Sequence, residues 1–61
     1  MHTYSMRITF QISAGEPQTL TFTVQAYDTT TAIAIVASKT QAFMAGTNMK
    51  LNDVLCLGAV N

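Results

Sequence analysis

Charged residues are scarce in this sequence. Lysine and arginine together occur three times and aspartate and glutamate three times, so charged residues make up 10% of the chain and the formal net charge is zero. An ordinary globular domain carries about 25%. Three cations give no electrostatic footprint for a nucleic-acid backbone or an anionic membrane surface, so the composition disfavours nucleic acid as a partner and predicts no membrane partner. Near-zero net charge favours association between protein molecules.

Residues that bind metals or carry out catalysis are equally few. The sequence has one cysteine, Cys56, and one histidine, His2, which excludes an intramolecular disulfide and a set of zinc ligands. Ser38 and Lys39 are adjacent, and adjacent side chains on a helix do not face each other as a nucleophile and its base would. No glycine-rich phosphate loop and no suitably spaced carboxylate pair is present. We therefore predict that the protein is not an enzyme and has no catalytic, cofactor-binding or metal-binding residues.

Targeting signals and long apolar runs are also lacking. The N-terminal MHTYSMRITF has no basic segment followed by an apolar run, and no stretch approaches the roughly 20 apolar residues that span a bilayer. We expect a cytoplasmic protein and a single domain, residues 1–61. A chain of this length buries only about 60% of the surface that its unfolded form exposes. With no disulfide or metal to staple it, oligomerisation is the remaining way to enlarge the core.

The first half of the chain predicts a β-hairpin. Apolar residues alternate with polar ones from Tyr4 to Ile12 and again from Thr19 to Ala26, which is typical of two half-buried strands. Between them SAGEPQ, residues 13 to 18, contains the glycine and proline of a loop. The polar face of this hairpin is rich in threonine, which is most simply a strand-forming residue on a solvated surface.

The stretch QAYDTTTAIAIVASKTQAFMAG, residues 25 to 46, predicts a helix from about Thr29 to Ala45. Asp28 can cap its N-terminus, and Gly46 suits the left-handed residue that often follows a C-terminus. At 100° per residue one sector of this helix is expected to face the sheet. It contains Ile33, Val36, Ala37, Thr40, Phe43 and Met44.

A link, GTNMKLND, is then expected, followed by a third strand, VLCLGAV, that is apolar on both sides. Val54, Cys56 and Val60 would share one side, and Leu55, Leu57 and Ala59 the other. The prediction is an α+β protein of ββαβ order, with a three-stranded antiparallel sheet in the order 2-1-3 and one helix on one face. A strand that is apolar on both sides lacks cover in this fold, and a second chain could supply it.

Self-association is the leading structural hypothesis. The sector of the helix turned away from the sheet carries one charge, Lys39, and a stripe of small residues around Ile35; the alternative is an alanine-rich helix that is merely exposed. We predict a homo-oligomer, most simply a dimer. Its interface would comprise Ala34, Ile35, Ser38, Ala42, Ala45, Leu55 and Leu57. A separate face for another partner would comprise Arg7, Thr9, Gln11, Thr21 and Thr23.

The stretch FTVQAYDTTTAIAIVASK resembles a pattern in small ββαβ accessory proteins of bacteriophages. In those proteins a hairpin ends in a hydrophobic-x-Val-x-Ala stretch, followed by a capping residue and a helix with repeated alanine. The resemblance covers roughly residues 4 to 46, and this chain departs from it in lacking the usual glutamates and lysines on the helix. It implies an accessory protein of a virus or mobile element, acting in the host cytoplasm, and it transfers no catalytic residue.

Three functions are compatible with these observations. The first is a non-catalytic protein that binds and modulates a host protein as a homo-oligomer. The second is a nucleic-acid-binding module that uses the Thr/Gln face with Arg7, which the zero net charge disfavours. The third is a small structural component of a virion.

Overall fold

The computed structural model describes residues 1–60, which form three strands and one helix. The elements are β1 (His2–Ile12), β2 (Gln18–Ala26), α1 (Thr29–Met44) and β3 (Met49–Ala59). The strands form one sheet in the order β2-β1-β3, and β1 is antiparallel to both neighbours. The predicted ββαβ, α+β fold is confirmed. We call the face of the sheet that α1 covers the inner face, and the opposite one the outer face.

The β1–β2 hairpin follows the predicted alternation. Met6 lies opposite Phe22 and Ile8 opposite Leu20, so apolar side chains of both strands share the inner face. Gly15 closes the loop by donating its backbone N–H to the carbonyl of Ile12. A Cβ at Gly15 would lie 3.0 Å from that same oxygen, so the tight turn favours glycine.

The predicted signals at both ends of the helix are confirmed. The backbone N–H of Thr31 donates to a carboxylate oxygen of Asp28 over 2.7 Å. This bond, with one from the Thr31 hydroxyl, lowers the pKa of Asp28 because both favour the charged carboxylate. At the other end α1 stops at Met44, one residue before the predicted end, and Ala45 caps it. Gly46 follows with φ of 76°, a conformation that glycine adopts without strain.

The third strand differs most from the prediction. It begins at Met49, five residues before the expected Val54, because Met49 and Leu51 pair with Ile12 and Phe10 of β1. The early part was predicted as a link because two register shifts, between Ser5/Met6 and Thr9/Phe10 on β1, interrupt the alternation.

The register shift between Ser5 and Met6 also changes which residues share a face. It places Ala59 opposite the buried Tyr4 and Leu55 opposite the exposed Arg7. The expectation that Leu55, Leu57 and Ala59 form one side is therefore wrong. Gly58, with φ of 125°, lies at this irregularity.

The core lies between α1 and the inner face of the sheet. Met6 is completely buried at the centre of the middle strand, and Val36 of α1 is 3% exposed. The other residues of this cluster are Tyr4, Ile8, Ala26 and Ala32. Val54 and Cys56 of β3 pack against it from one side, so the third strand contributes to the same core.

Candidate functional site

The position of α1 over the sheet decides which apolar surface remains open. The helix lies closer to β3 than to β2. Ile35 is half-buried and packs against the core, so the prediction that it points away from the sheet is wrong. Ile33, predicted to face the sheet, is 38% exposed. This displacement of α1 towards β3 explains both corrections, because the sheet then covers the flank of the helix that carries Ile35 and leaves the flank that carries Ile33 uncovered.

The same displacement leaves a groove beneath the C-terminal half of α1. Its volume is about 360 Å³. Phe43, which was predicted to pack on the sheet, lines this groove but is 76% exposed, and Leu20 of β2 is 53% exposed. We call this feature the inner groove. Its lining residues are Ile8, Phe10, Leu20, Phe22, Lys39, Thr40, Phe43, Met44 and Met49.

The lining of the inner groove suits an apolar side chain better than a reacting group. Only Lys39 and Thr40 in the lining carry polar side-chain atoms. Phenylalanine and methionine supply most of the remaining walls, and methionine side chains adapt to partners of different shape. The groove can therefore bind a hydrophobic segment of another molecule, and an acidic neighbour of that segment could pair with Lys39.

The outer face of the sheet brings the predicted partner residues together. Arg7 lies opposite Thr21, and Ser5 opposite Thr23, while Thr9 and Gln11 follow on the same face of β1. Leu55 joins them from β3, opposite Arg7, and is 42% exposed. This face is mixed: threonines, one arginine and an exposed leucine lie side by side, and α1 lies on the opposite face of the sheet.

The seven residues of the predicted oligomer interface do not form one surface. Ala34, Ser38, Ala42 and Ala45 are exposed on or beside α1, on the inner side of the sheet. Leu55 belongs to the outer face, and Leu57 is 47% exposed on β3. Ile35 is not available for this interface, because its side chain packs on the core. A single flat contact cannot cover both the helix and the outer face.

Side chains with catalytic chemistry are dispersed. Over residues 1–60, no three His, Cys, Asp or Glu side chains lie close enough to hold a metal ion. Cys56 is half-buried opposite Met6, and Asp28 is engaged as the helix cap. Within the same residues, no helix combines the length and the apolar character needed to cross a membrane.

The inner groove was not predicted from the sequence. Its apolar residues were assigned to the core because they lie on the apolar faces of the strands and of the helix. The alternation of apolar residues does not indicate that α1 is displaced sideways over the sheet. Comparisons with known proteins found no matching family model, no similar curated protein and no similar solved structure.

Proposed function

We propose that this protein is a non-catalytic interaction protein that associates with itself and binds another protein through the inner groove. The observation that carries this proposal is the exposure of Phe43, 76%, beside an apolar groove of about 360 Å³. Isolated exposed apolar residues are ordinary, but a contiguous apolar concavity marks an interaction site more often than chance.

Self-association is supported by the small size of the core. The described part of the chain has six buried residues in its main cluster, and no disulfide holds the free Cys56. Zero net charge removes the repulsion that would keep copies apart. A second chain adds buried apolar surface without lengthening the sequence.

A role as an accessory protein of a phage or mobile element, modulating a host protein in the host cytoplasm, fits this proposal. The support is the sequence resemblance together with the ββαβ fold. Inhibition by occupying a site on the host protein is the simplest form of such modulation, because the groove offers binding chemistry and no reacting group.

Paired variants of two exposed aromatic residues test the role of the groove. Phe43→Asp places a charge in the inner groove, whereas Tyr27→Asp makes a comparable change at a residue that is 71% exposed and outside the groove lining. Both should fold, since neither side chain is buried. We expect a host protein captured by the wild type to be lost with Phe43→Asp and retained with Tyr27→Asp, measured by affinity capture and mass spectrometry. Retention of the same partner by both variants would contradict binding through the groove.

A further inference from the structure

The two edges of the sheet differ in how open they are to another strand. The β3 edge contains two register shifts, and β3 carries Lys50 and Asp53. The β2 edge, Gln18–Ala26, pairs with β1 without a shift and contains no charged residue and no proline. Charges, bulges and prolines are the usual means by which edge strands avoid pairing with other chains. β2 has none of these protections.

The hydrogen bonds of β1 identify the free backbone groups of β2. Ser13 donates to the carbonyl of Asn48, and Val60 donates to the carbonyl of Thr3. Odd-numbered residues of β1 therefore bond towards β3 and even-numbered residues towards β2. Since Ile8 faces Leu20 in the register, the even-numbered residues of β2 are used within the sheet. The N–H and C=O groups that point outwards belong to Thr19, Thr21, Thr23 and Gln25.

The sequence of β2, QTLTFTVQA, is nearly symmetric about Phe22. In an antiparallel pair of two such strands with Phe22 at the centre, Leu20 meets Val24 and Thr21 meets Thr23. From Thr19 to Gln25, apolar residues meet apolar ones on the inner face and polar residues meet polar ones on the outer face; only the end pair, Gln18 with Ala26, departs from this pattern. No like charges meet, because the strand has no charges. A strand from an unrelated protein would need this pattern by coincidence, whereas a second copy has it by symmetry.

We propose that a second copy of the chain docks on this edge, β2 against β2 and antiparallel, with the two-fold axis at Phe22. This inference rests on the self-association in the proposed function and specifies its geometry. The outward groups of Thr19, Thr21, Thr23 and Gln25 then form about eight backbone hydrogen bonds, two for each hydrogen-bonded pair of an antiparallel ladder. The product is a six-stranded sheet with both helices on the inner face.

The arrangement also changes the inner groove. Leu20, on the floor of the groove, would lie opposite Val24 of the second copy. The second copy therefore extends the floor with another apolar residue and leaves the groove open to a partner. A complete groove would exist only in the dimer, which couples self-association to binding.

A pair of double variants tests both the edge and the register. Thr21→Glu with Thr23→Glu places carboxylates opposite each other across the two-fold axis, whereas Thr21→Glu with Thr23→Lys places a carboxylate opposite an ammonium. Both positions are exposed, and Glu at position 21 lies beside Arg7 in each, so the two variants differ only at position 23, whose side chain faces position 21 of the second copy. Sedimentation equilibrium measures the dimer dissociation constant, and circular dichroism checks folding.

We expect the double-glutamate variant to dissociate at least tenfold more readily than the glutamate–lysine variant. If wild type and both variants share one oligomeric mass and one dissociation constant, the chain self-associates through another surface: this inference is overturned and the proposed function stands. A wild type that is monomeric at micromolar concentration would overturn self-association itself, and this inference with it.

Hydrogen exchange on the wild type gives a second measurement that needs no variant to fold. The outward amides of Thr19, Thr21, Thr23 and Gln25 should exchange more slowly as the protein concentration rises through the dissociation constant. Concentration-independent exchange at these amides in an oligomeric sample would overturn the edge contact.

Discussion

Met6 is the side chain whose removal should weaken the fold most. Its side chain is completely buried, with an exposed fraction of 0%. It lies on the middle strand, between Phe22 of β2 and Cys56 of β3. Because β1 is hydrogen-bonded on both sides, the backbone cannot move inwards to fill a cavity. Met6→Ala should therefore cost about 3 kcal/mol, within the range of 2–5 kcal/mol for buried methionine.

That loss is large compared with the stability of so small a protein. At roughly 0.05–0.15 kcal/mol per residue, a chain of this length has a free energy of unfolding of about 3–9 kcal/mol. With a urea dependence of about 1 kcal/mol per M, the midpoint of unfolding should fall by about 3 M. If the free energy of unfolding of the wild type lies at the lower end of this range, the Met6→Ala variant is already largely unfolded in buffer.

Urea titrations followed by circular dichroism measure this effect. Wild type and variants are compared at one protein concentration, because association adds to the apparent stability. Leu57→Ala is the control, since Leu57 is 47% exposed and its truncation should cost less than about 1 kcal/mol. A loss below about 1 kcal/mol for Met6→Ala, or an equal loss for the control, would refute the assignment of the core.

Two further predictions concern α1. Ile35→Glu should unfold the chain or strongly destabilise it, because Ile35 packs on the core. Ile33→Glu should change the stability by only about 0.5 kcal/mol, because Ile33 is 38% exposed. Thermal unfolding that ranked the two variants in the opposite order would contradict the helical phase. Asp28 has a lowered pKa, so its contribution to stability is present above the unfolded-state pKa of about 3.9 and is lost as the pH falls through the folded-state value. Asp28→Asn keeps a capping side chain without a titrating group, so acid unfolding curves should show less loss of stability below that pH in the variant; identical curves for both proteins would contradict the role of the cap.

The hairpin and the helix ends could be predicted from the sequence because local interactions determine them. Alternation from Tyr4 to Ile12 reflects burial on one face, and Asp28 caps α1 through a bond to a residue three positions away. These features need no knowledge of the rest of the fold.

The third strand and the helix phase could not be predicted, because both depend on tertiary contacts. Two register shifts break the alternation of β3, so Met49 looks like part of a loop until its pairing with Ile12 is known. Apolar residues occur on several sides of α1, so periodicity alone does not choose between Ile33 and Ile35. The choice depends on where the helix lies over the sheet.

The low charge of α1 has a simpler explanation than a second chain covering its back. The exposed apolar residues there are small, namely Ala34 and Ala42, and their neighbours Ser38 and Gln41 are polar. An exposed alanine presents only one methyl group to water, and burying one such group gains about 0.8 kcal/mol at most. Phe43 is 76% exposed, and burying a phenylalanine side chain gains about 1.5–3 kcal/mol. The free energy available for association is therefore concentrated at the inner groove and along the free backbone of β2, rather than on the outward side of the helix.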